Sequence, residues 1–143
     1  MDNRGRPLVV LVSPGQAGDN PALRPMLDQL RVARRGPGRP RTRPDLLRAD
    51  KAYSARATRA HLRRRGIKTV IPEPADQAGH RKRRGSRGGR PVTYDQIEYR
   101  GRNVIERGIA VLKQWRAIAT RYDKHALTYR GGLVLAAVLL WLR

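Results

Sequence analysis

At 143 residues the chain is long enough for one domain with a real core and too short for two comfortable ones. Its 32 Lys and Arg against 11 Asp and Glu give a formal net charge of +21, so its long-range field draws polyanions, and DNA or RNA is the partner to expect. The lack of cysteine excludes disulfides, thiolate metal sites and a cysteine nucleophile together, and the hydrophobic residues, 39% of the chain, fall in separate blocks, which argues against full disorder.

The opening stretch MDNRGRPLVV has an acid at position 2 and Pro7 before its first apolar run, unlike the basic start and longer apolar core of a signal peptide. Pro7 to Ser13, PLVVLVS, is a continuous apolar run bounded by Pro14-Gly15 and predicts a strand buried on both faces. A helix follows in DNPALRPMLDQLRVARR: Asp19 or Asn20 can cap it, Pro21 suits its first turn, and Leu23, Met26, Leu27 and Leu30 recur at helical spacing, with a bend expected at Pro25. Residues 34–44, RRGPGRPRTRP, read as a basic loop; its Gly-Arg-Pro triplet is similar to a minor-groove hook core, a cheap pattern in an Arg-rich loop. DLLRADKAY then holds a short strand, Leu46 to Ala49, ending at Asp50. A helix over Ser54 to Arg65 closes at Gly66, and IKTVIPE reads as a second strand stopped by Pro72 and Pro74.

Gly79 to Arg90, GHRKRRGSRGGR, reads as a low-complexity basic insert, mobile in the free chain, whose Arg81, Lys82, Arg83, Arg84, Arg87 and Arg90 either track phosphates or form a solvated loop. Helices are expected over Asn103 to Thr120 and His125 to Trp141. The apolar run Gly131 to Leu142 has 12 residues, short of the roughly 20 that span a bilayer, and predicts a buried packing helix in a cytoplasmic protein with no membrane partner. Strands alternating with helices imply an α/β fold: a mostly parallel short sheet flanked by helices, ending in a C-terminal apolar helix.

A single acid, Glu106, stands inside YRGRNVIERGIAVLKQW. At about 100° per residue, Tyr99, Arg102, Glu106 and Lys113 fall within roughly 60° of one another if one helix includes them all. Val104, Ile105, Val111, Leu112, Trp115 and Ile118 spread around the other side. An intrahelical Arg102–Glu106 pair, worth only about 0.3–0.5 kcal/mol, would account for this acid equally well. Asp50 sits at the carboxyl end of a predicted strand, where open α/β sheets present ligand groups; a helix cap or a partner for Lys51 is the alternative. The two acids could hold a hard divalent cation such as Mg2+ through oxygen. His61, His80 and His125 are scattered, and neither Ser13 nor Ser54 has the pattern of a hydrolase triad.

The stretches ADKAYSARATRAHLRRRGI and TVIPE, followed by YRGRNVIERGIAVLKQWRAIATRYDK, resemble the C-terminal part of the catalytic domain of DDE-type insertion-sequence transposases. The family signature of Tyr, two residues, Arg, three residues, Glu, six residues, Lys is met by Tyr99, Arg102, Glu106 and Lys113. The resemblance implies a partial ribonuclease-H-like domain over residues 1–143, a Mg2+-dependent triad, and cutting and joining at the inverted-repeat ends of a mobile element. By position, Asp50 would be the second catalytic acid and Glu106 the third, both metal ligands. Arg102 and Lys113 would contact phosphates or the DNA end, and Tyr99 the same substrate. The implied partners are inverted-repeat and target DNA at the nucleoid, with a homodimer or an assembly with full-length transposase on DNA.

The resemblance also implies a first catalytic Asp on a strand upstream of a hairpin similar to DNRGRPLVVLVSPGQ. Asp2 and Asp19 do not match its position, so the chain is expected to be truncated at its N-terminus, inactive alone, and either a decayed remnant or the downstream frame of a frameshifted element. Without that first strand, Pro7 to Ser13 is expected to pair directly, in parallel, with Leu46 to Ala49. The competing expectation is a non-catalytic basic nucleic-acid-binding protein.

Overall fold

Short apolar blocks separated by Gly and Pro favour short elements over most of the chain, and the computed structural model, which describes residues 1–142, contains seven α-helices and two three-residue strands among them. The chain divides into two compact units: Arg43–Arg100, and Met1–Thr42 with Gly101–Arg143.

In the unit Arg43–Arg100, β1 (Leu46–Arg48) and β2 (Lys68–Val70) pair in parallel, with Leu46 opposite Lys68 and Arg48 opposite Val70. Parallel strands need a crossover, supplied here by α2 (Arg56–Arg64). Its apolar anchor is Leu62, wholly buried like Ile71 after β2, and Ile67 and Val70 are buried as well. Gly66 ends the helix at φ +64°, with its N–H donating to the Arg63 carbonyl at 2.9 Å and that of Ile67 to Leu62 at 3.0 Å. This is the left-handed cap that glycine adopts without a Cβ penalty.

The basic insert read from the sequence over residues 79–90 is not a uniform loop. Its first five residues belong to α3 (Ala75–Arg83), and Gly85–Gly88 forms a 3-10 turn. Ala75, Asp76, Gln77 and Ala78 tolerate a helix, and Pro74 stands before the first turn. A Cβ on Gly88 would strike the Arg81 carbonyl, so the turn folds back on α3 only with glycine there. A helix that the sequence reading missed, α4 (Gln96–Arg100), is capped by Asp95, whose Oδ1 accepts from the N–H groups of Ile97 at 2.9 Å and Glu98 at 3.0 Å.

The other unit begins with α1 (Asp19–Asp28), which includes Pro25 and buries Leu23 and Leu27. The basic loop 34–44 is present and exposed over most of its length. Paired backbone bonds between Val32 and Arg41, at 2.9 and 2.8 Å, close its neck. The expected helix Asn103–Thr120 is two, α5 (Asn103–Lys113) and α6 (Arg116–Ala119), separated by an extended Trp115. The last is α7 (Ala126–Trp141).

The expected strand Pro7–Ser13 is absent, and with it the parallel pairing to Leu46–Ala49; β2 is the only partner of β1 in the described sheet. Side chains take the place of a ladder. Trp141 Nε1 donates to the Pro7 carbonyl at 2.9 Å, Arg130 Nε to Val10 at 3.2 Å, and Arg121 Nη2 to Ser13 at 3.4 Å. Backbone carbonyls need a hydrogen bond from protein or water, and a neighbouring strand is one of several ways to supply it.

Helix α7 also departs from the buried helix expected. Ala136 and Ala137 are buried, but Leu127 and Leu135 are each 71% exposed. Its apolar residues run all round, so covering one face leaves the others in solvent. No helix among the described residues is long and apolar enough to cross a membrane.

Candidate functional site

Asp50 follows the last residue of the sheet ladder. The Ala49 N–H donates to the Val70 carbonyl at 3.2 Å, and the chain then turns into a 3-10 helix, Lys51–Tyr53, with Asp50 at its N-cap position. Its carbonyl accepts from Tyr53 at 3.0 Å, while its side chain makes no capping hydrogen bond. The carboxylate therefore occupies the carboxyl edge of a parallel sheet, half-buried, without serving the cap that was the alternative reading.

Arg48, two residues earlier, docks α4 on the same unit. Its Nη2 donates to Glu98 Oε2 at 2.6 Å and its Nε to the Glu98 carbonyl at 2.8 Å. This fixes the short helix that carries Tyr99, whose ring lies 5.5 Å from that of Tyr94. Neither Arg48 nor Glu98 was singled out in the sequence, although the Asp95–Glu98 spacing is a capping-box signal.

Tyr99 is not on the helix of Glu106. The chain turns at Gly101–Arg102 before α5 begins, so the four-residue stripe expected on one helix reduces to Arg102, Glu106 and Lys113. Glycine's poor helix propensity accounts for a break there. Glu106 lies in the first turn of α5 and accepts from Arg102 Nη2 at 2.6 Å; Lys113 closes the last turn, exposed. The intrahelical ion pair foreseen as the plain alternative is thus present. It occupies Oε1 of a side chain that is 58% exposed.

The basic residues of 81–90 divide by environment. Arg81 is engaged by Glu73, with Nη2–Oε2 at 2.8 Å and Nε–Oε1 at 3.2 Å. Those hydrogen bonds hold the Glu73 carboxyl below its ordinary range, against a smaller opposing effect of burial, and raise Arg81 in turn. Arg83 Nη2 meets His80 Nδ1 at 2.8 Å. Lys82, Arg84, Arg87 and Arg90 are exposed. Arg81 is therefore least available to a phosphate, and the remaining cations form the accessible basic surface.

For a divalent ion, the donor chemistry at Asp50 fits Mg2+, which takes hard oxygen ligands and is commonly held by one or two carboxylates with several waters. No group of three His, Asp or Glu side chains suited to a metal gathers among the described residues.

The family model described as the transposase DDE domain matches residues 1–141. A transposase assigned to insertion sequence element IS402 of Burkholderia cepacia is 30% identical over 139 residues, 97% of this chain and 58% of the relative. The chain thus spans 58% of the length of that curated relative. No solved structure gives a significant match.

Proposed function

The chain belongs to the family of transposase DDE domains, and we propose that it forms part of an insertion-sequence transposase that binds element-end and target DNA and contributes Asp50 and Glu106 to a Mg2+-dependent cutting and joining site. The supporting observation is the family match over residues 1–141, together with the position of Asp50 just beyond the carboxyl edge of the parallel pair. Open α/β sheets bind ligands at that edge. In this reading the ribonuclease-H-like architecture is the parent fold. Within it, Asp50 and Glu106 hold the ion, Arg102 and Lys113 neutralise the DNA end, and Tyr99 packs against it. When bound, Mg2+ supplies Lewis-acid stabilisation of the attacking and leaving oxygens of an in-line displacement. Residues Lys82, Arg83, Arg84, Arg87 and Arg90 follow the phosphate backbone in a sequence-independent way.

The test is affinity for a duplex as a function of salt, followed by Mg2+-dependent nicking of a labelled inverted-repeat end. Charge reversal at Lys82, Arg84 and Arg87 is expected to flatten the slope of log affinity against log salt by about 0.9 for each phosphate that is no longer neutralised. An unchanged slope removes this surface from the DNA path. Binding that persists without any Mg2+-dependent nicking, even when the chain is supplied within a full-length transposase, favours the non-catalytic alternative.

A further inference from the structure

The carboxyl edge that presents Asp50 is held by a side chain outside the DDE signature. Arg59, on the first turns of α2, sends its guanidinium back under the two loops that leave the sheet. Nη2 donates to Ser54 Oγ at 2.9 Å, to the Ile71 carbonyl at 2.9 Å and to the Pro72 carbonyl at 3.2 Å, and Nε lies 3.4 Å from the Ser54 carbonyl. Ser54 Oγ in turn donates to Gln77 Oε1 at 3.0 Å on α3. Ser54 is 3% exposed and Ile71 is wholly buried, so these polar groups have little water to replace a missing partner.

We propose that Arg59 is a positioning residue, tying the loop after β1 to the loop after β2 and so fixing the 3-10 turn that sets the Asp50 carboxylate at the sheet edge. That Asp50 is a metal ligand rests on the preceding reading; that Arg59 fixes its turn does not. The chain of contacts is short. Asp50 opens the turn through the Tyr53 N–H, Ser54 closes it through the Lys51 carbonyl at 3.0 Å, and Ser54 is the residue Arg59 grips through both side chain and backbone. One planar NH2 group, Nη2, reaches acceptors on both loops, its two hydrogens shared among three oxygens, while Nε points at the Ser54 carbonyl. A lysine keeps the charge but not that geometry.

The experiment compares the full chain with Arg59→Lys and with Ser54→Ala, which removes one grip and leaves the arginine. Amide hydrogen exchange is read at Tyr53 and Ser54, with Lys68 as the internal reference because its N–H is tied to the Asp45 carbonyl at 3.1 Å. Both variants are expected to speed exchange at Tyr53 and Ser54 by about tenfold relative to Lys68. Equal acceleration at all three sites, or none at Tyr53 and Ser54, overturns the proposal. In parallel, Mn2+ is titrated as a paramagnetic probe of the Asp50 to Tyr53 resonances. Weaker broadening in Arg59→Lys, together with the local exchange change, links the turn to ion binding. Should the unsubstituted chain show no broadening, the metal-ligand reading of Asp50 fails while the exchange arm still decides the role of Arg59.

Discussion

Replacing Glu106 by Gln separates its two possible employments, because the structure sets a low ceiling on one of them. The carboxylate pairs with Arg102 at i, i+4, with side chains 58% and 25% exposed respectively. Such a pair contributes about 0.3–0.5 kcal/mol, and less in this order, since an acid is better placed N-terminal to its base. Its position in the first turn of α5 adds about 0.3–1 kcal/mol from the helix dipole. The stability cost of Glu106→Gln is therefore about 1 kcal/mol, a fall of roughly 3–5 °C in Tm for a chain of this size. Arg102→Ala breaks the same pair but leaves the carboxylate and should be comparably mild. Metal binding should divide them: Mn2+ affinity falls at least about tenfold in Glu106→Gln, where a neutral amide replaces a hard anionic ligand, and survives in Arg102→Ala. Calorimetry supplies the first number and Mn2+ titration the second. Equal metal affinity in both variants, with a matched small loss of stability, would refute the reasoning and leave Glu106 as an ordinary surface ion pair.

Two further outcomes follow from the unit Arg43–Arg100. Leu62→Ala empties the position that α2 packs against the sheet and should cost about 2–5 kcal/mol, read as a lower urea midpoint; a loss under about 1 kcal/mol would mean that Leu62 is not the anchor its complete burial indicates. Because Arg81 depresses the Glu73 carboxyl below its ordinary value of 4.5, the stabilisation it brings is complete above that pH and disappears as the pH falls through the lower folded value. Urea midpoints measured down that acid range should decline less steeply in Glu73→Gln, and identical acid limbs would remove the Glu73–Arg81 pair from the acid response.

Local signals were legible in the sequence where a residue's neighbours in the chain decide its state. Gly66 marked the end of α2 because a left-handed cap is a local matter, and Pro72 and Pro74 stopped the segment after β2 for the same reason. The Arg102–Glu106 pair was readable from spacing alone. What escaped depended on partners distant in sequence. PLVVLVS has the composition of a buried strand, yet a strand exists only as a ladder, and here Trp141, Arg130 and Arg121 satisfy its carbonyls from more than 100 residues away. The apolar run of α7 announced a helix correctly, but with no polar face it could not indicate how much of its surface would be covered. At the site, the type of Asp50 and its strand-end position could be read, whereas the residues that hold its surroundings could not. Arg48 and Arg59 look like two more cations in a chain of 32 Lys and Arg. Only their hydrogen bonds, to Glu98 in one case and to Ser54, Ile71 and Pro72 in the other, separate them from the exposed arginines. In a protein this basic, a positive charge carries little information about its task, and several arginines, Arg59 among them, spend their donors on backbone carbonyls of this same chain.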